Sequence, residues 1–201
     1  MKVMIDLCCG LGGASQAFWD SPEWMVLRID NNEDLLPHVK GLILADVMDF
    51  DNIKSIIDAL MPEHVEKLVI WSSPPCLEFS LGYSGPRHSA YMAGQEFEPN
   101  MDLVFACLDL INHYQPQVWW LENVRGSITY FTPELGKFRQ KLGSFFLWGN
   151  FPLIAVRDSD ILLHTKPDSR HHPLRSNIRA MVPEEFSRAI LESISKQATL
   201  F

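Results

Sequence analysis

The chain has 201 residues, 47% hydrophobic and 21% charged, with a formal net charge of −8; this predicts one folded domain with a full core and excludes a disordered or collagen-like chain. No apolar run approaches the roughly 18 residues of a membrane span and the first residues lack a secretory-signal pattern, so neither a membrane nor a secreted protein is expected. Four cysteines, at 8, 9, 76 and 107, fit neither a disulfide framework nor zinc spacing, which points to a reduced, cytoplasmic setting without a structural metal.

Residues 2–7 (KVMIDL) read as a buried strand that feeds Cys8-Cys9-Gly10-Leu11-Gly12-Gly13, and residues 14–19 then have helical composition. Strand, glycine turn and helix together form the arrangement that lets a cofactor approach the backbone. The spacing is not the G-x-G-x-x-G of dinucleotide sites, and no Lys-Ser/Thr follows for a phosphate loop. Residues 24–29 (WMVLRI) form a second strand ending at Asp30. That acid is placed either to accept from ribose hydroxyls or to cap a helix over 31–38. A short third strand over 42–45 is closed by Asp46, and a helix follows over 51–60.

Residues 68–71 (LVIW) read as a strand buried on both faces. It runs into Ser72-Ser73-Pro74-Pro75-Cys76. Each proline fixes φ near about −65° and removes a backbone donor, so the thiol sits on a stiff loop at the carboxyl end of a strand. Taken alone, this reads first as a turn with a small buried cysteine. Residues 81–100 are rich in Gly, Ser, Pro and aromatics without periodicity, as a lid or substrate loop would be. Residues 101–114 form an amphipathic helix with Cys107 in the core, and 117–121 (QVWWL) form a fifth strand running into Glu122-Asn123-Val124-Arg125-Gly126.

Further helix is expected over 132–142 and strands over 144–148 and 161–164. Residues 151–182 read as a short irregular insert, and an amphipathic helix opens at Pro183 with two Glu in its first turn. The alternation through residue 125 predicts an α/β doubly wound, mainly parallel sheet within a single domain spanning 1–201. Charge is unevenly spread. Residues 1–124 carry 6 Lys+Arg against 18 Asp+Glu, and residues 125–179 carry 9 against 4, with His164, His171 and His172 in addition. A basic third can face a phosphate backbone, and a merely solvated surface gives the same count.

Asp6-Leu7-Cys8-Cys9-Gly10-Leu11-Gly12-Gly13, then Pro74-Pro75-Cys76 with Phe79-Ser80, then Glu122-Asn123-Val124, all stand at strand ends in that order. Over about its first 125 residues the chain thereby resembles the DNA cytosine-5 methyltransferases. The resemblance implies a Rossmann-like S-adenosylmethionine-dependent sheet with an antiparallel strand near the C-terminus, and S-adenosyl-L-methionine as cofactor. Asp6, Cys8, Gly10, Leu11, Gly12, Gly13 and Pro74 would then line the cofactor, with Asp30 at its ribose and Asp46 at the adenine amino group. Cys76 would be the nucleophile toward C6 of the base, and Glu122 would hold N3 and the exocyclic amine. Pro75, Phe79 and Ser80 would lie on the substrate side, with Asn123 as an orienting or turn residue.

Three departures from the family pattern stand out. The family's Gln-x-Arg-x-Arg strand has no match, Phe146-Leu147-Trp148-Gly149-Asn150 lying in its approximate place. Arg87, Arg125, Arg157, Arg175 and Arg179 are the candidate substitutes on the substrate side, with Arg125 first. Residues between Asn150 and Pro183 are too few for a separate target-recognition domain, so a protein partner would have to supply any such recognition. The family's closing motif, which ends in an Asn near the cofactor, is matched only loosely by residues 182–194 (VPEEFSRAILESI). The whole resembles compact, catalytic-domain-only methylases of viral genomes. The resemblance implies DNA as partner; RNA or a free cytosine nucleotide as substrate, and a non-catalytic cofactor-binding subunit, are the other readings.

Overall fold

The computed structural model describes residues 1–82, 85–156 and 172–197. Strands β1 (Lys2–Leu7), β2 (Trp24–Asp30), β3 (Leu42–Leu44), β4 (Lys67–Ser72) and β5 (Val118–Asn123) run parallel, while β6 (Gln140–Leu142) and β7 (Phe145–Asn150) form a hairpin laid antiparallel on β5. They make one seven-stranded sheet in the order β3-β2-β1-β4-β5-β7-β6. The strand order reverses between β1 and β4, and such a switch point opens a crevice at the strands' carboxyl ends. This is the doubly wound, mainly parallel sheet that the alternation implies, with the antiparallel strand near the C-terminus that the family resemblance adds.

Two faces follow from the period of two along each strand. Met4, Val26, Val69, Trp71, Val118, Trp120 and Leu147 point to one side. There they meet Phe18 of α1 (Gln16–Trp19) and Phe186, Ile190 and Ile194 of α7 (Glu184–Gln197). Val3, Ile5, Leu7, Leu27, Ile29, Leu68 and Ile70 point to the other, against Ile53 and Ile57 of α2 (Phe50–Leu60) and Cys107, Leu110 and Ile111 of α4 (Asp102–Tyr114). Because both faces are covered, these strands read as continuous apolar runs. No helix among the described residues is long and apolar enough to cross a membrane.

Local chemistry moves several boundaries. The helix expected over 132–142 is instead α5, Ile128–Leu135. Gly136 stops it at φ +74°, and residues 140–142 extend as the edge strand β6. Only a 3-10 turn, Glu33–Leu35, forms within 31–38; its cap is Asn32, whose side chain accepts from Asp34 N, and not Asp30. Pro37 discourages helical continuation just beyond it. The segment 81–100 contains α3 (Pro86–Met92), and the insert 151–182 contains α6 (Arg175–Ala180). The strand expected over 161–164 lies outside the described residues.

Candidate active site

The glycine turn leaves β1 through Cys8, Gly10 and Gly12, at φ +56°, +52° and +72°. Asp30, at the end of β2, clamps it: one carboxylate oxygen accepts from Gly10 N at 2.9 Å and the other from Asn32 N at 3.0 Å. Arg28 lies beneath, only 2% exposed. Its Nε donates to Ser15 Oγ at 2.9 Å, and its guanidinium lies 4.7 Å from the Trp19 ring centroid. A Cβ on Gly12 would come within 3.0 Å of Arg28 Nε, so the turn rests directly on this cation.

The far end of the chain closes the turn from outside. A Cβ on Gly13 would lie 2.2 Å from Val182 O, and one on Gly10 would meet Asn177 Nδ2 at 3.6 Å. Ser187 of α7, fully buried, accepts from Ala17 N at 2.9 Å and donates to Ala14 O at 2.8 Å. Asp6 sits on the α1/α7 face, paired in register with Arg28 and Trp71. Among the described residues neither of its carboxylate oxygens has a hydrogen-bond partner. Burial pushes Asp6 up to about 7, against the pull of the Ser15 hydroxyl and the Arg28 charge. Asp46 is exposed at the end of β3, with Oδ1 accepting from Met48 N at 2.9 Å.

The stiff loop after β4 is held at several points. Ser73 N donates to Leu7 O at 3.1 Å, and Trp71 Nε1 donates to Ser73 Oγ at 2.5 Å. Pro74 is buried and its carbonyl accepts from Asn123 Nδ2 at 3.0 Å, while Asn123 Oδ1 accepts from Val124 N at 2.9 Å. Asn123, 1% exposed, therefore joins the ends of β4 and β5 from within. Pro75 is exposed, and Cys76, partly exposed and outside any disulfide, follows it. The Cys76 carbonyl accepts from Phe79 N at 3.1 Å and Ser80 N at 2.9 Å, so the thiol-bearing residue opens a tight turn.

Phe79 is 2% exposed, its ring centroid 5.1 Å from that of Phe131. The structure thus places it in the core as the loop's anchor, not at the crevice surface. Ser80 is partly exposed and its hydroxyl accepts from Gly82 N at 3.2 Å. Arg87 of α3 donates to Gly126 O at 3.0 Å and lies 5.3 Å from the Tyr130 ring centroid, which ties α3 to the turn after β5. A cavity of about 290 Å³ beside it is lined by Leu81, Arg87, His88 and Tyr91.

Glu122 projects from β5 on the same face as Trp120. Burial pushes its carboxyl up to about 7, with the neighbouring Ser73 hydroxyl acting in the opposite direction. Antiparallel pairing puts Leu147 of β7 opposite Glu122, and Phe146, Leu147 and Trp148 are all buried, so this strand presents apolar packing at the place where an arginine strand was sought. Arg125 is exposed and opens the 3-10 turn Arg125–Ser127. Arg175 and Arg179 are exposed on α6, and Arg157 lies outside the described residues.

Three residues that hold this site escaped the sequence reading. Arg28 was hidden inside an apolar strand, although a cation in a buried strand demands polar partners and was itself the signal. Ser187 adjoins the apolar stripe Phe186, Ile190 and Ile194 of α7, and gave no periodic sign. Asn177 falls in the segment with least periodicity.

A family model for C-5 cytosine-specific DNA methylases matches residues 2–145, from β1 to the first residue of β7. Among solved structures, the methyltransferase EhMeth of Entamoeba histolytica is 14% identical with a TM-score of 0.44, the match covering 78% of this chain and 55% of that one. This chain therefore spans little more than half the length of that relative. No curated protein matches the sequence significantly.

Proposed function

The chain belongs to the C-5 cytosine-specific DNA methylase family, and on that premise we propose that it transfers a methyl group from S-adenosyl-L-methionine to C5 of cytosine in DNA through a covalent Cys76–C6 adduct. One observation carries the reading. The Asn123 bond to Pro74 O ties the Cys76 loop to the strand end that bears Glu122, so the thiol-bearing loop and a carboxyl pushed up to about 7 stand at neighbouring strand ends.

The cofactor side fits as well. A side chain at Gly13 would collide with backbone and one at Gly12 would press on Arg28, and the buried Asp6 carboxyl below the turn has no hydrogen-bond partner among the described residues. These features suit a ligand with a positively charged amino-acid portion pressed against the backbone. Asp30 and Asp46 are the acids at the ends of β2 and β3 that would take its ribose and adenine ends. When bound, the cofactor supplies an electrophilic methyl group.

In the proposed chemistry, the Cys76 thiolate adds to C6 and the C5–C6 π electrons move onto C5, which makes an unreactive carbon nucleophilic. The charge pushed toward N3 is met by the Glu122 proton, with Arg125 as the cation nearest in sequence. After methylation C5 loses its proton, the S–C6 bond breaks and the ring regains its aromaticity. The base would have to leave the duplex to reach Cys76. Exposed Arg175 and Arg179 would contact phosphate, and sequence recognition would come from a protein partner.

The test uses labelled S-adenosyl-L-methionine with duplex DNA, RNA or deoxycytidine monophosphate. Label is expected on DNA, with a loss of at least about 10³-fold for Cys76→Ser. DNA containing 5-fluorocytosine should trap an adduct at Cys76. Cofactor binding without transfer or adduct on any substrate would overturn the reading.

A further inference from the structure

Ser73 stands between two groups of opposite character. On one side is Trp71, fully buried, its ring wedged 5.7 Å from Trp120 and 6.0 Å from Phe186. Its indole N–H donates to Ser73 Oγ at 2.5 Å. An indole nitrogen is a donor only, so Oγ is the acceptor here and the hydroxyl hydrogen must point elsewhere. On the other side is Glu122. The parallel register Trp71↔Trp120 and Ser72↔Leu121, continued by one residue, brings Ser73 beside it on the same face of the sheet, and the Ser73 hydroxyl opposes the upward shift of its carboxyl. The backbone of Ser73 has little freedom, since its N–H is bound to Leu7 O and Pro74 follows it.

We propose that Ser73 is a positioning residue: held by Trp71, its hydroxyl donates to one oxygen of Glu122 and leaves the acid proton on the other, the oxygen that faces the crevice. A carboxyl oxygen already accepting a hydrogen bond is the poorer site for the proton, so the neutral acid keeps its O–H on the outward oxygen. There it can donate to a ring nitrogen such as N3 of cytosine. The chain of contacts runs from the aromatic core to the reacting base, and no arginine on β7 is required to orient Glu122. This rests on the proposed role of Glu122 as the group that holds the base.

The experiment is an NMR pH titration of the full chain with isotope-labelled glutamate, Glu122→Gln identifying the Glu122 signal, in wild type, Ser73→Ala and Ser73→Thr. Ser73→Ala removes a donor to the ionised form, so the Glu122 midpoint should rise by about one pH unit. Ser73→Thr should keep the wild-type midpoint. The Trp71 indole N–H resonance should follow the Glu122 titration in wild type and cease to do so in Ser73→Ala. In methyl transfer, Ser73→Ala should lower kcat about 10-fold with little change in cofactor KM, move the alkaline limb of kcat/KM up by the same unit, and be rescued by Thr. A Ser73→Ala protein whose Glu122 midpoint stays at the wild-type value overturns the inference. A shifted midpoint in a protein that methylates nothing upholds the Ser73 contact and rejects the enzymatic reading.

Discussion

Asp6 and Glu122 are carboxyls that burial pushes up to about 7 from ordinary values of 3.8 and 4.5. A raised folded-state value means that the native protein holds these protons more tightly than the unfolded chain does. Their contribution to stability is full below the unfolded values and is lost as pH rises through about 7. Asp6→Asn, which keeps the shape without the charge, is therefore expected to raise the thermal midpoint at about pH 8 and to flatten its decline from about pH 5. Circular dichroism melts of the ligand-free protein across that range would show it, and an unchanged decline would refute it. The placement of Glu122 and Cys76 at strand ends was legible in the sequence because each motif directly follows or closes an apolar run. Asp6 was legible as the polar residue near the end of an apolar strand, but the absence of a hydrogen-bond partner for it among the described residues emerges only when Arg28 and Ser15 are seen to bond to each other.

Among the elements, the loop from Pro74 to Ser80 depends on a contact that no pattern announces. Gly126 carries no side chain because a Cβ there would lie 1.8 Å from Phe79 O, a backbone atom with no room to yield. Gly126→Ala is thus expected to destabilise the protein by roughly 1–3 kcal/mol. It should also reduce trapping on 5-fluorocytosine DNA by displacing the Cys76 turn. Denaturant melts and adduct yield measure the two, and a wild-type value in both would show the loop to be yielding. The strands were readable because residues covered on both faces leave unbroken apolar runs, as in KVMIDL and LVIW. The helix over 132–142 was misread because Leu135, Phe138 and Leu142 stand at helical spacing, whereas Gly136 at φ +74° stops the helix before it reaches them all. The short α3 and α6 bury no residues of their own and so leave no amphipathic trace.

For the molecule as a whole, a net charge of −8 must coexist with a polyanionic substrate in the proposed function. Binding then depends on a few local cations instead of a general field. Replacing Arg175 and Arg179 of α6 by Ala should make the slope of log K against log salt shallower by about two for duplex DNA. An unaltered slope would remove α6 from the interface. Strand–helix alternation foretold the doubly wound sheet, because parallel strands need crossovers that sequence records as periodic segments. It said nothing of how residues 177–187 return to the glycine turn, since that contact has no local pattern. The bonds from Ser187 to Ala14 and Ala17 join positions 173 and 170 residues apart. During synthesis the glycine turn therefore emerges from the ribosome long before the segment that braces it. The brace on the glycine turn is completed only once α7 is made, and under the proposed function a nascent chain halted short of α7 would hold the Cys76 loop without a completed seat for a methyl donor.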